Sequence, residues 1–229
     1  MLTAIVKNSR MLAAQVVHLE LKALSPFDYL PGQFIRLSVG EESPGIPARR
    51  CYSLASAPKS NGEFDLCLKQ VTGGHSSVFL QKLTQGDLLE FEPPDGDFIL
   101  RSPLRNSLFI ASGTGVAPVR AMVQWLFTGG NRSIGRDFWL FHCAQSVEGL
   151  YYHDEFEEIA CLNRNFYYRP ILIGKQYGES APVIAAVSEA VLSRSGVDIY
   201  TCGAPGLLQS CEDLVRKYVS NDHRLVKAA

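Results

Sequence analysis

The chain reads as two units, an amino-terminal antiparallel β-barrel followed by an α/β unit with a doubly wound parallel sheet. Three observations predict this. Residues 1–103 break into short, partly alternating strands separated by turn residues. From residue 104 onward, strand patterns alternate with helical ones. Between them in character stands Leu108-Phe109-Ile110-Ala111-Ser112-Gly113-Thr114-Gly115-Val116-Ala117-Pro118. It runs from a short apolar strand through two glycines to a proline suited to the first turn of a helix. With 229 residues the chain is long enough for two domains, 1–103 and 104–229.

In the first unit the expected strands are Leu2–Lys7, Gln15–Lys22, Gln33–Val39, Cys51–Leu54, Glu63–Val71 and Leu88–Glu92. In the second of these Val17, Leu19 and Leu21 take one face, His18, Glu20 and Lys22 the other. Pro31-Gly32, Pro44-Gly45, Asn61-Gly62 and Asp95-Gly96 are turn signals. One helix is expected after a Ser76 or Ser77 cap, carrying Val78, Phe79, Leu80 and Leu83. In the second unit the expected strands are Leu108–Ala111, Asp137–Cys143, Phe166–Ile173 and Val197–Cys202. The helices are Pro118–Phe127, Tyr151–Leu162, Pro182–Ser193 and Pro205–Tyr218.

The totals exclude several classes. Hydrophobic residues make up 46% and charged residues 20% of the chain, and the formal net charge is −1. With no long basic run, nucleic acid is not an expected partner. No apolar run is long enough to insert in a membrane. Residues 1–7 lack a signal-peptide pattern, so a cytoplasmic location is expected. None of the six cysteines pairs with another at Cys-x-x-Cys spacing, so neither a zinc ribbon nor a cysteine-held iron–sulfur cluster is expected and no metal site is assigned. Most cysteines fall in apolar patterns and read as buried thiols of a reducing compartment, with Cys202 the candidate exception.

Four stretches carry chemistry. The turn Gly113-Thr114-Gly115 before a helix lets backbone approach a pyrophosphate, although the third glycine of the dinucleotide fingerprint is missing. In Arg50-Cys51-Tyr52-Ser53, alternation points Arg50 and Tyr52 to one side. Arginine forks onto phosphate and tyrosine stacks on a flat ring; an edge strand with a surface arginine and a packed tyrosine reads the same way. Lys69-Gln70-Val71-Thr72-Gly73-Gly74-His75-Ser76-Ser77 is either an anion site or a loop with an N-cap. Tyr200-Thr201-Cys202-Gly203-Ala204-Pro205 places Cys202 at the carboxyl end of a parallel strand, where ligands bind in such sheets or where a structural thiol packs.

Taken in order, Arg50-x-Tyr52-Ser53, Gly73-Gly74-x-x-Ser77, Gly113-Thr114-Gly115-Val116-Ala117-Pro118 and Cys202-Gly203-Ala204-Pro205 resemble the ferredoxin–NADP reductase superfamily. Pro94-Asp95-Gly96-Asp97-Phe98 resembles that family's turn before the last barrel strand. Leu150-Tyr151-Tyr152-His153-Asp154-Glu155-Phe156 is similar to a segment of its oxygenase-reductase and flavin-reductase branches. The resemblance covers nearly the whole chain.

The resemblance implies an FAD-binding barrel, an NAD(P)-binding α/β domain and hydride transfer from NAD(P)H to FAD. Electrons then pass to a separate acceptor, a small redox protein, an oxygenase or a flavin. It implies Arg50 on a flavin phosphate, Tyr52 on the flavin ring and Ser53 near the reactive nitrogen. Lys69, Val71, Gly73, Gly74, Ser76 and Ser77 hold the rest of FAD in this reading. Gly113, Thr114, Gly115 and Pro118 support the dinucleotide, and Cys202, with Gly203 and Pro205 of its turn, lies by the nicotinamide. Ser53 and Cys202 are the residues implied in catalysis. Two other readings are an NAD(P)H:flavin reductase with free flavin as substrate, and a flavin-holding subunit active only within a complex. Where many members carry an arginine after the second parallel strand, this chain has Gln145, which tilts the expected donor toward NADH. Arg132, Arg136 or Lys175 could still fold back into reach. The chain also ends on Ala228-Ala229 and not on the aromatic residue that covers the flavin in many members.

Overall fold

A computed structural model describes residues 1–43, 46–70, 75–130, 132–173, 196–206, 209–210, 213 and 224–228. The amino-terminal half is a six-stranded antiparallel sheet of β1 (Leu2–Ala13), β2 (Val16–Ala23), β3 (Phe34–Ser43), β4 (Ile46–Ser53), β5 (Glu63–Lys69) and β6 (Leu88–Phe91). Their order is β4-β3-β6-β1-β2-β5. A bridge between Leu54 and Leu66, with Ala55 N–H donating to the Asp65 carbonyl at 2.7 Å, brings the two edge strands together. The sheet is thereby closed into a barrel around Leu19, Leu21, Ile35, Leu37, Leu54, Phe64, Leu66 and Phe91, all fully buried. Helix α1 (His75–Gln81) lies between β5 and β6.

Several boundaries differ from the sequence reading. β1 continues to Ala13 as a long hairpin with β2, with register shifts at Val6/Asn8 and Met11/Ala13. Its exposed polar stretch around Asn8–Arg10 hides the continuation from hydrophobic patterning. α1 begins at His75, so Ser76 and Ser77 sit inside its first turn and not at its cap. The turn at 94–98 follows β6, the last barrel strand, and does not precede one. Pro93 and Pro94 lack N–H donors, so the ladder stops at Phe91 and Asp95 makes a single bridge to Phe34. His18, on the face opposite Val17, Leu19 and Leu21, is buried against Tyr152 of the second half.

The second half is an all-parallel sheet in the order β11-β10-β7-β8-β9, built from β7 (Ser107–Ser112), β8 (Phe138–Ala144), β9 (Phe166–Leu172), β10 (Asp198–Cys202) and β11 (Arg224–Lys227). Central strands β7, β8 and β10 are buried along their whole length, as a sheet covered on both faces requires. β11 was not expected from sequence. Four residues carry too little pattern, and the strand is fixed by a fork from Arg224 onto the buried Asp198 at 2.5 and 2.6 Å. Helices α2 (Val116–Phe127) and α3 (His153–Leu162) follow β7 and β8 in the chain. The expected helix Pro182–Ser193 and most of Pro205–Tyr218 lie outside the described residues. One apolar cluster runs through both halves, from Val16, Ala55, Cys67 and Phe98 of the barrel to Phe109, Met122 and Tyr200.

Two histidines are buried in this frame. Burial pushes His18 and His142 down to about 4, below the ordinary value of about 6.5. For His142 the neighbouring His153 adds to the shift. The folded chain therefore binds fewer protons than the unfolded chain between those values, and stability is lost as pH falls from about 6.5 toward 4. On unfolding in that window these two side chains should together take up about two protons from solvent. His142→Phe should lower the measured pH slope of urea unfolding by about one proton; an unchanged slope would mean that His142 is charged in the fold.

Candidate functional site

Neighbouring parallel strands β7 and β10 end side by side, which brings Ser112–Gly115 against Cys202–Ala204. The Ala204 N–H donates to Ser112 Oγ at 2.9 Å. A Cβ on Gly115 would stand 2.5 Å from the Cys202 carbonyl oxygen, so a side chain there has no room. Gly203 has φ +141°, and a Cβ on it would reach Ser112 Oγ at 2.2 Å. The two turns interlock through their glycines. Gly113 differs: its Cβ would meet nothing within 4 Å. Gly113–Gly115 form a 3-10 turn that runs straight into α2, with the Val116 N–H donating to the Gly113 and Thr114 carbonyls, so the positive end of the helix lies at this turn, beside the strand ends.

A cavity of about 710 Å³ opens here between the two halves, within the usual range for small-molecule sites. The barrel contributes Tyr52, Ser53 and Lys69 from the expected set. The parallel sheet contributes Gly113, Thr114, Gly115, Cys202 and Gly203. Opposite Leu37 and Ile35 in the β3–β4 register, Arg50 and Tyr52 share a face. Tyr52 is half-buried against the barrel core, which pushes its phenol up.

Arg50 does not line the cavity: its guanidinium is exposed and donates to the Arg49 carbonyl at 2.8 Å. Ser76 and Ser77 are in α1, Pro118 is buried in the first turn of α2, and Pro205 is exposed beyond the β10 turn, all outside the cavity wall. Val71, Gly73 and Gly74 lie outside the described residues.

Other wall residues were not singled out from sequence. Ala13 and Ala14, at the β1–β2 hairpin, form a low rim, and Cys51 and Cys67 add two thiols. Ser146, Glu148 and Tyr151 join Gln145 just past the end of β8. The rule that ligands gather at carboxyl ends of parallel strands would have found that last group; small hairpin residues and alternating barrel positions carry no such signal.

Burial pushes the Cys202 thiol up to about 12 and the Cys67 thiol up to about 11. Both are therefore protonated near neutral pH, so the wall offers no activated thiolate at either position. The Glu148 carboxylate is held below the usual carboxylate range by a hydrogen bond from Ser146 and by backbone N–H. It is the one carboxylate in the cavity wall, and Lys69 is the one cation, among the described residues. No group of three metal-ligating side chains occurs among the described residues. The arrangement can hold a flat ligand between a tyrosine-bearing barrel wall and a strand-end turn, with fixed polar groups at its edges.

Residues 3–99 match the oxidoreductase FAD-binding domain family, and residues 109–213 the oxidoreductase NAD-binding domain family. The chain is 31% identical over 219 residues to the toluate 1,2-dioxygenase electron transfer component of Pseudomonas putida, across 93% of this chain and 62% of that protein. It is 34% identical over 163 residues to the phenol 2-monooxygenase reductase component of a Pseudomonas species, across 70% of this chain and 44% of that one. The chain thus spans about three fifths of the first of these. Among solved structures it resembles an Amycolatopsis cytochrome P450 reductase, with TM-score 0.81 and 27% identity over 99% of this chain and 69% of that one. It shares its fold with ferredoxin-NADP+ reductase from Plasmodium falciparum, with TM-score 0.83 and 17% identity over 99% of this chain and 95% of that one.

The glycine interlock makes a direct prediction. Gly115→Ala should lower stability to urea by about 1–3 kcal/mol, the usual cost of forcing an extra methyl into a packed site. An unchanged unfolding midpoint would show that the two turns have slack.

Proposed function

Because the chain belongs to the ferredoxin–NADP reductase superfamily, we propose that it takes hydride from NAD(P)H onto FAD and passes electrons to a separate acceptor. The observation that carries this reading is the shared cavity, in which the ring-binding strand of the barrel faces the strand-end turn of the parallel sheet. Division of labour falls at about residue 103, in the connection between Phe91 and Ser107.

The residues present fit FAD. Tyr52 offers an aromatic face, Ser53 a hydroxyl and N–H, and Arg50 an exposed guanidinium on the same strand face as Tyr52. Lys69 sits at the end of β5, with Ser76 and Ser77 in the first turn of α1 beyond it. When bound, FAD supplies the hydride-accepting chemistry itself. What the chain does is bind, orient and exclude. Arg50 fixes a phosphate, Tyr52 seats a ring, and Ser53 donates to its edge. On the other wall the N–H groups around Gly113–Gly115 support the dinucleotide at the positive end of α2. Cys202, protonated, fills the space beside the nicotinamide and acts by shape, not as a nucleophile.

NADH is the donor this wall suits better. Gln145 stands where arginine would favour a 2′-phosphate, and Glu148 three residues on is a fixed negative charge. A 2′-phosphate brought near it meets like-charge repulsion, whereas a free ribose hydroxyl is a suitable donor to a carboxylate. The acceptor is a small redox protein or an oxygenase, by analogy with relatives named as electron transfer or reductase components. The described cysteines are all free thiols, in keeping with a cytoplasmic, reducing setting. No helix among the described residues is long and apolar enough to cross a membrane.

The test is an anaerobic absorption titration of the purified, FAD-loaded chain. The flavin band should bleach with NADH, and at a lower concentration than with NADPH. A chain that retains no FAD after loading and merely turns over free flavin would replace this reading with that of a flavin reductase. Arg50→Ala should weaken FAD binding ten-fold or more, since a charge-assisted phosphate contact is worth about 1.5–3 kcal/mol. Unchanged FAD affinity would remove Arg50 from the site.

A further inference from the structure

We propose that Arg120 is a positioning residue, a buried clamp that holds the barrel and the parallel-sheet half in the register that hydride transfer needs. This rests on the reading of the cavity as a hydride-transfer site. Arg120 lies on α2 and is only 7% exposed. Its Nη1 donates across the seam to two barrel groups, Asp65 Oδ2 at 2.9 Å and the Ala55 carbonyl at 2.7 Å. Its Nε donates to Glu155 Oε2 on α3 at 2.7 Å. The guanidinium also lies 4.4 Å from the centre of the Tyr152 ring. One planar cation thus ties three chain segments together.

The surrounding groups complete the clamp. Gln124, one turn along α2, donates to Glu155 Oε1 at 2.7 Å and accepts from the Ala57 N–H at 3.0 Å, a second bridge to the barrel. Tyr152 is held in the left-handed region at φ +64°, which is costly for a tyrosine and is retained where surroundings enforce it. Its hydroxyl hydrogen-bonds His18 Nδ1 of the barrel at 2.9 Å. Lys59 Nζ reaches the other oxygen of Asp65 at 3.4 Å. Arg120 and Lys59 balance Asp65 and Glu155, with His18 uncharged.

Burial makes this arrangement nearly all-or-none. A surface ion pair can open at little cost. Separating the two halves here, or deleting one partner, strands a charge inside the seam, which is strongly unfavourable. The clamp is also close to the cavity on every arm. Cys67 and Lys69 follow Asp65 at alternate positions of β5 and line the wall. α2 starts directly after Gly115, and Tyr151 of the wall adjoins Tyr152. A shift of about 1 Å at the seam therefore reaches both walls, and a misplacement of that size costs hydride transfer heavily.

The experiment compares parent, Arg120→Gln, Asp65→Asn and the double variant, all FAD-loaded. Flavin bleaching by NADH is followed by anaerobic rapid mixing, and amide exchange by mass spectrometry. Each single variant should keep its flavin yet bleach at least ten-fold more slowly at saturating NADH. The double variant should be no slower than the slower single one. Exchange should rise in peptides covering 54–58 and 150–156 and stay as in the parent at 34–38 and 107–111. Unchanged bleaching, additive losses, or exchange that rises everywhere would overturn the clamp. If Arg120→Gln does not fold, Glu155→Gln, which keeps the side-chain shape, is held to the same two readings. A parent that NADH fails to bleach would refute the hydride-transfer reading, and the exchange pattern would then decide the seam by itself.

Discussion

A guanidinium that is almost wholly buried must find most of its partners in the protein, and Arg120 finds them on both sides of the seam. Its charge is answered by Asp65 from β5 and Glu155 from α3, the Ala55 carbonyl accepts from the same Nη1 as Asp65, and the Tyr152 ring lies against its face. Those requirements fix how β5, α2 and α3 stand relative to one another. The apolar cluster that continues from barrel to parallel sheet supplies adhesion without direction. The buried polar seam supplies direction, since its hydrogen bonds form only when each donor faces its acceptor across the two halves.

From that constraint the cavity follows. The parallel sheet presents the ends of β7 and β10 at a change in strand order, the usual place for a ligand in this kind of sheet. Gly115 and Gly203 let the two turns close on each other, so the cavity wall there is backbone with little freedom to adapt. The barrel presents the end of β4, through Cys51, Tyr52 and Ser53, and alternate residues Cys67 and Lys69 of β5. Neither wall carries an activated thiol at Cys67 or Cys202 or, among the described residues, a metal cluster. What the protein contributes is a fixed distance and a fixed angle between two bound molecules, which suits chemistry that the cofactors themselves perform.

Much of this was legible in the sequence, for identifiable reasons. The strand–glycine–proline stretch at 108–118 announced a parallel strand turning into a helix, and it does so. Short strands broken by turn residues, with alternation in β2, announced the barrel. Patterns failed where a second layer altered what a face meets. His18 shares a face with Glu20 and Lys22, yet Tyr152 covers it. Arg120 sits within the apolar run Val116–Val123, and Asp65 between Phe64 and Leu66. A lone charge inside an apolar stretch was the available signal for the seam, but each needs the other to be understood. They are 55 positions apart, beyond the reach of any local period. β11 was missed because a four-residue strand is set by its neighbour, not by its own residues.

The proposed function requires that the cavity hold the nicotinamide in one fixed pose against the flavin. Transfer of deuterium from NADH labelled at one or the other of the two hydrogens on its reactive ring carbon reads this directly. A rigid wall built from the β7 and β10 turns exposes one ring face only, so one labelled form should slow flavin bleaching by a primary isotope effect and the other should not. Comparable isotope effects from both forms would contradict it, as a cavity that accepts either face does not set the geometry on which the proposed function depends.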